Sequence, residues 1–358
     1  MRVKLTEYVA QHFPGATIID VQPLRPDSGA TASSTTKTTG YGRPIRFVID
    51  DQGQRRAFVW RTSAANDFGH DRRADRAAET LLAFDDFTTI PDHVRPLDVG
   101  AIRADGSLVT LRDASELYLV TTYAPGTLYV DDLRRLASGE PVTEADLERV
   151  DVLARYLADL HIPIPDGERR YRRALRDLVG HGEGIYGMID GYPDDVPEAS
   201  PRRLHAIEER CAGWRWRLRD HGRRLARTHG DFHPFNIVFD HLAPTFLDAS
   251  RGGCGDPADD VTALAVNFLL FAIDAPTATR AGFAVLWRRW WRRCLELRPD
   301  PGLQTAAPPF FAWRTLVVCN PTFYPGLSAH GRDRLLAFAE GVLARGQLDP
   351  EAAEELFR

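Results

Sequence analysis

Apolar and polar residues follow two different periods along this chain, and the change of period falls near residue 122. The opening MRVKLTEYVAQHF spaces its apolar positions as a short amphipathic helix does. ATIIDVQPL, IRFVID and RRAFVWR then read as three strands, with a Ser/Thr/Gly-rich stretch over 26–42 between the first two. From 69 to 87 Ala, Leu and Phe return to helical spacing. LDVGAI and LYLVTTY supply two more strand candidates before the APG at 124–126. The pattern up to 122 predicts a small antiparallel sheet with one major helix.

Beyond that point the helical period dominates. TEADLERVDVLARYLADLH is an amphipathic helix with a Thr cap and a Glu behind it, and most later segments are helical too. The exception lies between 226 and 248, where the short apolar runs IVF and TFL predict two strands around a polar cluster. The fold class expected is therefore α+β, with a sheet-bearing N-terminal lobe over 1–122 and a larger, mainly helical C-terminal lobe over 123–358.

Composition narrows the function classes. At 358 residues, 44% hydrophobic and 27% charged, the chain is long enough for two packed lobes. A net charge near −5 gives no electrostatic footprint for nucleic acid. The run VTALAVNFLLFAI at 261–273 is too short to span a bilayer, and the N-terminus does not read as a signal peptide. The four cysteines, Cys211, Cys254, Cys294 and Cys319, have no metal-knuckle or disulfide spacing, so a reducing cytoplasm is the expected location. Lysine stands only at Lys4 and Lys37, and arginine supplies the rest of the 45 basic side chains. WRW at 214–216 and RRWWRR at 288–293 read as amphipathic helix faces with snorkelling arginines.

The chemistry concentrates in THGDFHPFNIVFD, 228–240. Asp231 is a candidate base, Asn236 a metal ligand five residues on, and Asp248, at the end of the TFLD run, a second ligand. An amide oxygen and a carboxylate are hard donors that suit Mg2+, with Mn2+ an alternative, while nucleotide phosphates complete the shell. Asp231, left uncoordinated, would accept the proton of an acceptor hydroxyl. HGDFHPFN followed by FLDASRGGCGDPADD resembles the aminoglycoside phosphotransferase and choline kinase-like small-molecule kinases. The resemblance implies a bilobal protein-kinase-like fold with ATP or GTP held between lobes, Asp231 as catalytic base, and Asn236 and Asp248 on magnesium. It further implies transfer of the γ-phosphoryl group to a hydroxyl of a small molecule such as an aminoglycoside or amino sugar.

Other positions follow from the same resemblance. The strand lysine that would reach the nucleotide phosphates is replaced by Arg61, with Glu79 its expected helical partner. Backbone groups at Thr121, Thr122 and Tyr123 are expected to meet the purine. The first loop, PDSGATASSTTKTTG, lacks a GxGxxG, and Lys37 within it is a substitute candidate for the phosphate contact. His229 is read as a loop-fixing residue and His233 as a turn residue, while Asp256 and Asp260 either cap a helix beginning near Pro257 or brace the loop. FFAWRTLVVCNPTFYPG reads mostly as core, its NPTFYP end being a candidate for the acceptor cleft. Two other readings are an inactive nucleotide-binding regulator and a hydrolase using His229, Asp231 and His233 as an HxDxH metal cluster.

Overall fold

The computed structural model describes residues 2–24, 44–249, 251 and 253–358, so the loop over 26–42, with Lys37, lies outside the described residues. The chain divides into two compact units, Met1–Thr121 and Thr122–Arg358. The architecture is the α+β arrangement expected, a small antiparallel sheet in the first unit and a mainly helical second unit.

In the first unit, helix α1 (Arg2–His12) precedes strands β1 (Thr17–Pro23), β2 (Ile45–Asp51) and β3 (Gln54–Trp60), which pair antiparallel in the order β1-β2-β3. The central strand is the most buried. Ile45, Phe47 and Ile49 alternate onto one face and pack with Leu5 and Val9 of α1. β2 and β3 are joined by a two-residue turn in which Gln52 and Gly53 both have positive φ, the conformation that matches strand twist in tight hairpins.

Helix α2 (Arg73–Asp86) begins later than the apolar spacing implies. The Asp75 carboxylate accepts from the Arg72 amide at 2.7 Å, and the start is set there. None of its side chains is fully buried. Strand β4 (Gly100–Ile102) falls within LDVGAI, but its partner is β5 (Leu108–Thr110), not LYLVTTY. Residues 117–123 form no strand, and Leu117, Tyr118, Leu119, Val120 and Tyr123 are exposed. The local hairpin through Gly106 closes a much shorter loop, so β5 takes the pairing and the apolar run is left without a ladder.

The second unit opens with β6 (Thr127–Leu128), which pairs with β7 (Ile237–Asp240), itself paired with β8 (Ala243–Phe246). Gly126 must be glycine here, since its φ is +132° and a Cβ would strike the Phe239 carbonyl. The helices are α3 (Tyr129–Ala137), α4 (Glu144–Leu160), α5 (Glu168–Gly180), α6 (Ile185–Asp190), α7 (Pro201–Leu218), α8 (Pro257–Ile273), α9 (Thr277–Leu297), α10 (Leu303–Ala306), α11 (Pro308–Cys319) and α12 (Ala329–Arg345). Thr143 caps α4 as expected, but the reciprocal carboxylate is Asp146, not the glutamate.

Helix α8 is the axis of this unit. Only Asp259 and Phe271 along it are partly exposed, which explains why its sequence is apolar on every side. It packs against α9 and α11, while α4 lies on α9 and α12 on α11. No described helix is long and apolar enough to cross a membrane. The RRWWRR segment splits as its period predicts. Trp290 and Trp291 are buried, and Arg289 makes a two-pronged pair with Asp151 at 2.8 and 2.9 Å.

Candidate active site

Two acidic residues at the start of α8 have separate tasks, and the second holds the polar loop in place. Asp256 caps the helix by accepting from the Ala258 amide, and Arg224 grips both its oxygens at 2.7 and 2.8 Å while Tyr171 donates its hydroxyl. Asp260 turns back to the loop and accepts the amides of His229 and Gly230, each at 2.8 Å, and lies 3.0 Å from His161 Nε2. Burial pushes the Asp260 carboxyl up, but His161 and the two amides outweigh it and hold it below its ordinary value. Gly230 takes φ +84°, so a side chain at this point would strain the turn that presents Asp231. Both functions considered for this acidic pair are thus present, divided between the two residues.

His229 is buried, and its Nδ1 accepts the Asp231 amide at 3.3 Å, the structural part expected of it. His233 does more than form a turn. Its Nδ1 accepts the Phe235 amide at 3.2 Å, which leaves Nε2–H to donate to Asp231 Oδ2, also at 3.2 Å. Asn236 donates its amide to the same Oδ2 and to the Asp231 carbonyl, both at 3.1 Å. With the nitrogen committed twice, the amide oxygen is the atom left for a cation.

The β7–β8 hairpin brings Asp248 back towards this group. The Leu247 amide donates to the Asn236 carbonyl at 2.8 Å, extending the register to the residue before Asp248. Asp248 itself sits at φ +43°, a left-handed conformation aspartate tolerates better than most residues and one frequent at functional positions. It is exposed, and lines with Asp231 and His233 a cavity of about 230 Å3. Asn236 does not line that cavity's wall.

Arg314 was not legible as a site residue. It lies in α11, within the apolar run read as core, and is 4% exposed. Its guanidinium donates to Asp231 Oδ1 at 2.6 Å, to Asp259 Oδ1 at 2.8 Å and to the Gly230 carbonyl at 2.8 Å. The available signal was an arginine inside an otherwise apolar helix, since a buried charge demands partners. Burial pushes Asp231 towards protonation, but the His233 hydrogen bond and the Arg314 charge outweigh it, and the carboxyl lies well below the usual carboxylate range. Tyr324, from the NPTFYP segment, also lines the cavity, and burial lifts its hydroxyl to about 12.

The first unit treats its candidates differently. Glu79 accepts from Ser63 Oγ at 2.6 Å and lies 3.4 Å from His70 Nε2. Arg61 is exposed and forms no ion pair among the described residues, so the expected Arg61–Glu79 pair is not made. Ser63 and His70 sit close in sequence to the strand end and the helix start, and they satisfy the carboxylate first. Thr121, Thr122 and Tyr123 are exposed and belong to no strand.

No protein-family model matches the chain, and no curated protein matches it. The solved structures similar to it include small-molecule kinases. A glucosamine kinase bound to glucosamine, ADP and inorganic phosphate is 19% identical over 66% of this chain and 64% of its own, less than two thirds of its length, with a TM-score of 0.42. An amicoumacin kinase bound to AMP-PNP, calcium and its antibiotic is 14% identical over 98% and 96%, with a TM-score of 0.41. A choline/ethanolamine kinase family protein from Mesorhizobium loti is 14% identical over 99% and 98%, with a TM-score of 0.34. Scores of this size carry no residue assignment across, and the chemistry of the site rests on its own geometry.

Proposed function

We propose that the protein is a phosphotransferase that moves the γ-phosphoryl group of ATP or GTP to a hydroxyl of a small molecule. The observation that carries this reading is the state of Asp231. Its Oδ2 receives His233 and Asn236, its Oδ1 receives Arg314, and a carboxylate has about four lone-pair sites, so roughly one remains, on Oδ1, at a cavity wall. A carboxylate so held is ionised and fixed in direction, as required of a group that orients an acceptor hydroxyl and takes its proton late in a loose transition state.

The donor set suits magnesium, with manganese an alternative. Asn236 would offer its uncommitted amide oxygen and Asp248 its carboxylate, and nucleotide phosphates the other oxygens. Bound there, the cation would neutralise charge on the transferring phosphoryl group. On the sequence resemblance, Arg61 is assigned to the nucleotide phosphates with Glu79 as its helical partner, and the backbone at Thr121, Thr122 and Tyr123 to the purine. For that pairing Glu79 would have to exchange Ser63 and His70 for Arg61.

The HxDxH hydrolase reading fits the geometry less well. The Nδ1 atoms of His229 and His233 both accept backbone amides, and among the described residues no three His, Cys, Asp or Glu side chains converge on a point that could hold a metal. The deciding experiment measures nucleotide consumption by the full chain with magnesium, ATP or GTP, and panels of amino sugars, sugars, aminoglycosides and choline-like alcohols. Acceptor-dependent consumption is expected. Its absence, with no change of melting temperature on adding either nucleotide, would sink the proposal.

A further inference from the structure

The wall of the Asp231 cavity holds a second arginine that the phosphotransferase reading leaves without a task. Arg251 lies three residues beyond Asp248, and its guanidinium carbon sits 3.8 Å from the centre of the Trp313 ring. Its Nη1 donates to the Glu183 carbonyl at 2.9 Å, and Trp313 Nε1 donates to the same oxygen at 3.1 Å, so the stack is pinned from both sides. Arg314 packs on the same indole at 3.7 Å, but the two arginines differ in their charge balance. Arg314 has Asp231 and Asp259. Arg251 forms no ion pair among the described residues, and its Nε, like that of Arg314, is buried without a hydrogen-bond partner.

Such a group is costly to keep. Arg251 is half-buried with no carboxylate beside it to balance the charge, and burial weakens its hold on its proton. The acids nearby are otherwise engaged. Asp231 and Asp259 are bound by Arg314, Asp248 is assigned to the cation, and Glu183 is exposed at the rim and contributes its carbonyl. Among the described residues Nη2 makes no hydrogen bond either, and once Nε is opened from its buried position the two form a planar two-donor fork whose spacing matches a carboxylate.

The geometry points to an acceptor that carries a carboxylate as well as its reacting hydroxyl: a small hydroxy acid or sugar acid whose carboxylate pairs with Arg251 beside Trp313. This rests on the phosphotransferase reading for the hydroxyl and on Arg251 alone for the acid. The size agrees. A cavity of about 230 Å3 is below the roughly 300–1,000 Å3 of sites for drug-sized ligands, and suits a single ring or a shorter chain better than a multi-ring antibiotic.

Matched probes test it on the full chain. D-glucuronate, D-glucose and D-glucosamine share a ring and differ in charge, glycerate and glycerol do so at smaller size, and glucose 6-phosphate offers a phosphate in place of the carboxylate. Calorimetry without nucleotide is expected to show at least one carboxylate binding tenfold or more tighter than its neutral counterpart. In Arg251→Gln that advantage disappears, and in Arg251→Lys part of it survives, because the charge remains without the fork. Initial rates with magnesium and ATP should rank the acceptors in the same order.

The inference is overturned if no carboxylate outbinds its neutral partner in the wild type, a result that needs no variant to fold. It is also overturned if glucose 6-phosphate alone shows the advantage, or if Arg251→Gln lowers kcat equally for every acceptor. The last result would assign Arg251 to the transferred phosphoryl group. Carboxylate binding that depends on Arg251 without any phosphoryl transfer would support the acid subsite and defeat the kinase reading. Transfer to neutral or cationic hydroxyls with no preference for acids would do the reverse.

Discussion

Replacing Arg314 by methionine keeps most of the side-chain volume and removes the charge that two carboxylates share. Arg314 is 5% exposed at its side chain, and Asp259, its partner at 2.8 Å, is 14% exposed. Removing one member of such a buried network costs about 3–5 kcal/mol, because the others stay desolvated without compensation. For Asp231 the sign follows from its depressed carboxyl. The stability it contributes is present above the unfolded value near 3.9 and is lost as pH falls through the lower folded value. In Arg314→Met burial persists while the main counter-charge is gone, so the folded values of Asp231 and Asp259 rise, and Asp259 is already raised by burial with Arg314 in place. The stability difference between wild type and variant is therefore expected to be largest near pH 7 and to shrink towards pH 4. Urea unfolding followed by tryptophan fluorescence reads it, since every tryptophan except Trp60 lies beyond residue 122. Adding Asp259→Asn should recover part of the loss, with a coupling of about 1–3 kcal/mol. A loss below about 1 kcal/mol, an equal loss at both pH values, or strict additivity would refute the reasoning.

Other outcomes separate the remaining roles. Asp231→Asn is expected to lower kcat by about 10²–10⁴ while nucleotide affinity stays within a few-fold, and a comparable loss in nucleotide affinity would contradict its place on the acceptor side. Asp248→Asn is expected to weaken nucleotide binding in saturating magnesium, and equal affinities by equilibrium dialysis would remove it from the cation site. Arg61→Ala should raise KM for the nucleotide without moving the melting temperature, because Arg61 is exposed, and Arg61→Lys should rescue only part of it. Wild-type kinetics for Arg61→Ala would pass the phosphate contact to another cation, with Lys37 first in line.

The parts of this fold that sequence made legible are those fixed by local chemistry. The β2–β3 hairpin, the α4 cap at Thr143 and the α8 start at Asp256 each depend on a few adjacent residues. LYLVTTY misled because an apolar run states a preference for pairing without naming a partner, and β4 pairs across the shorter loop instead. Glu79 misled for a related reason. A carboxylate accepts whichever donors the local chain supplies, and Ser63 and His70 were supplied. Arg314 and Arg251 were hidden because their roles depend on tertiary neighbours 83 residues before the first and 68 before the second. A lone arginine in an apolar helix was the only trace, and it names no partner.

The contacts that make Asp231 a weak base also make it a well-aimed one. A carboxylate free to rotate would present four lone pairs to solvent and hold an acceptor hydroxyl in many directions. Here His233 and Asn236 fix one oxygen, Arg314 fixes the other, and α8 fixes the loop through Asp260, so the remaining acceptor site has one orientation. In a loose phosphoryl transfer the nucleophile gives up its proton late, so direction matters more than basicity, and lowering the carboxyl value costs little rate while keeping the group ionised. On the proposed phosphotransferase reading Arg314 would serve the reaction as a positioning residue, without touching the substrate. It holds Asp231 charged and aligned, and its second carboxylate, Asp259, prevents that pair from closing into a neutral, self-satisfied unit.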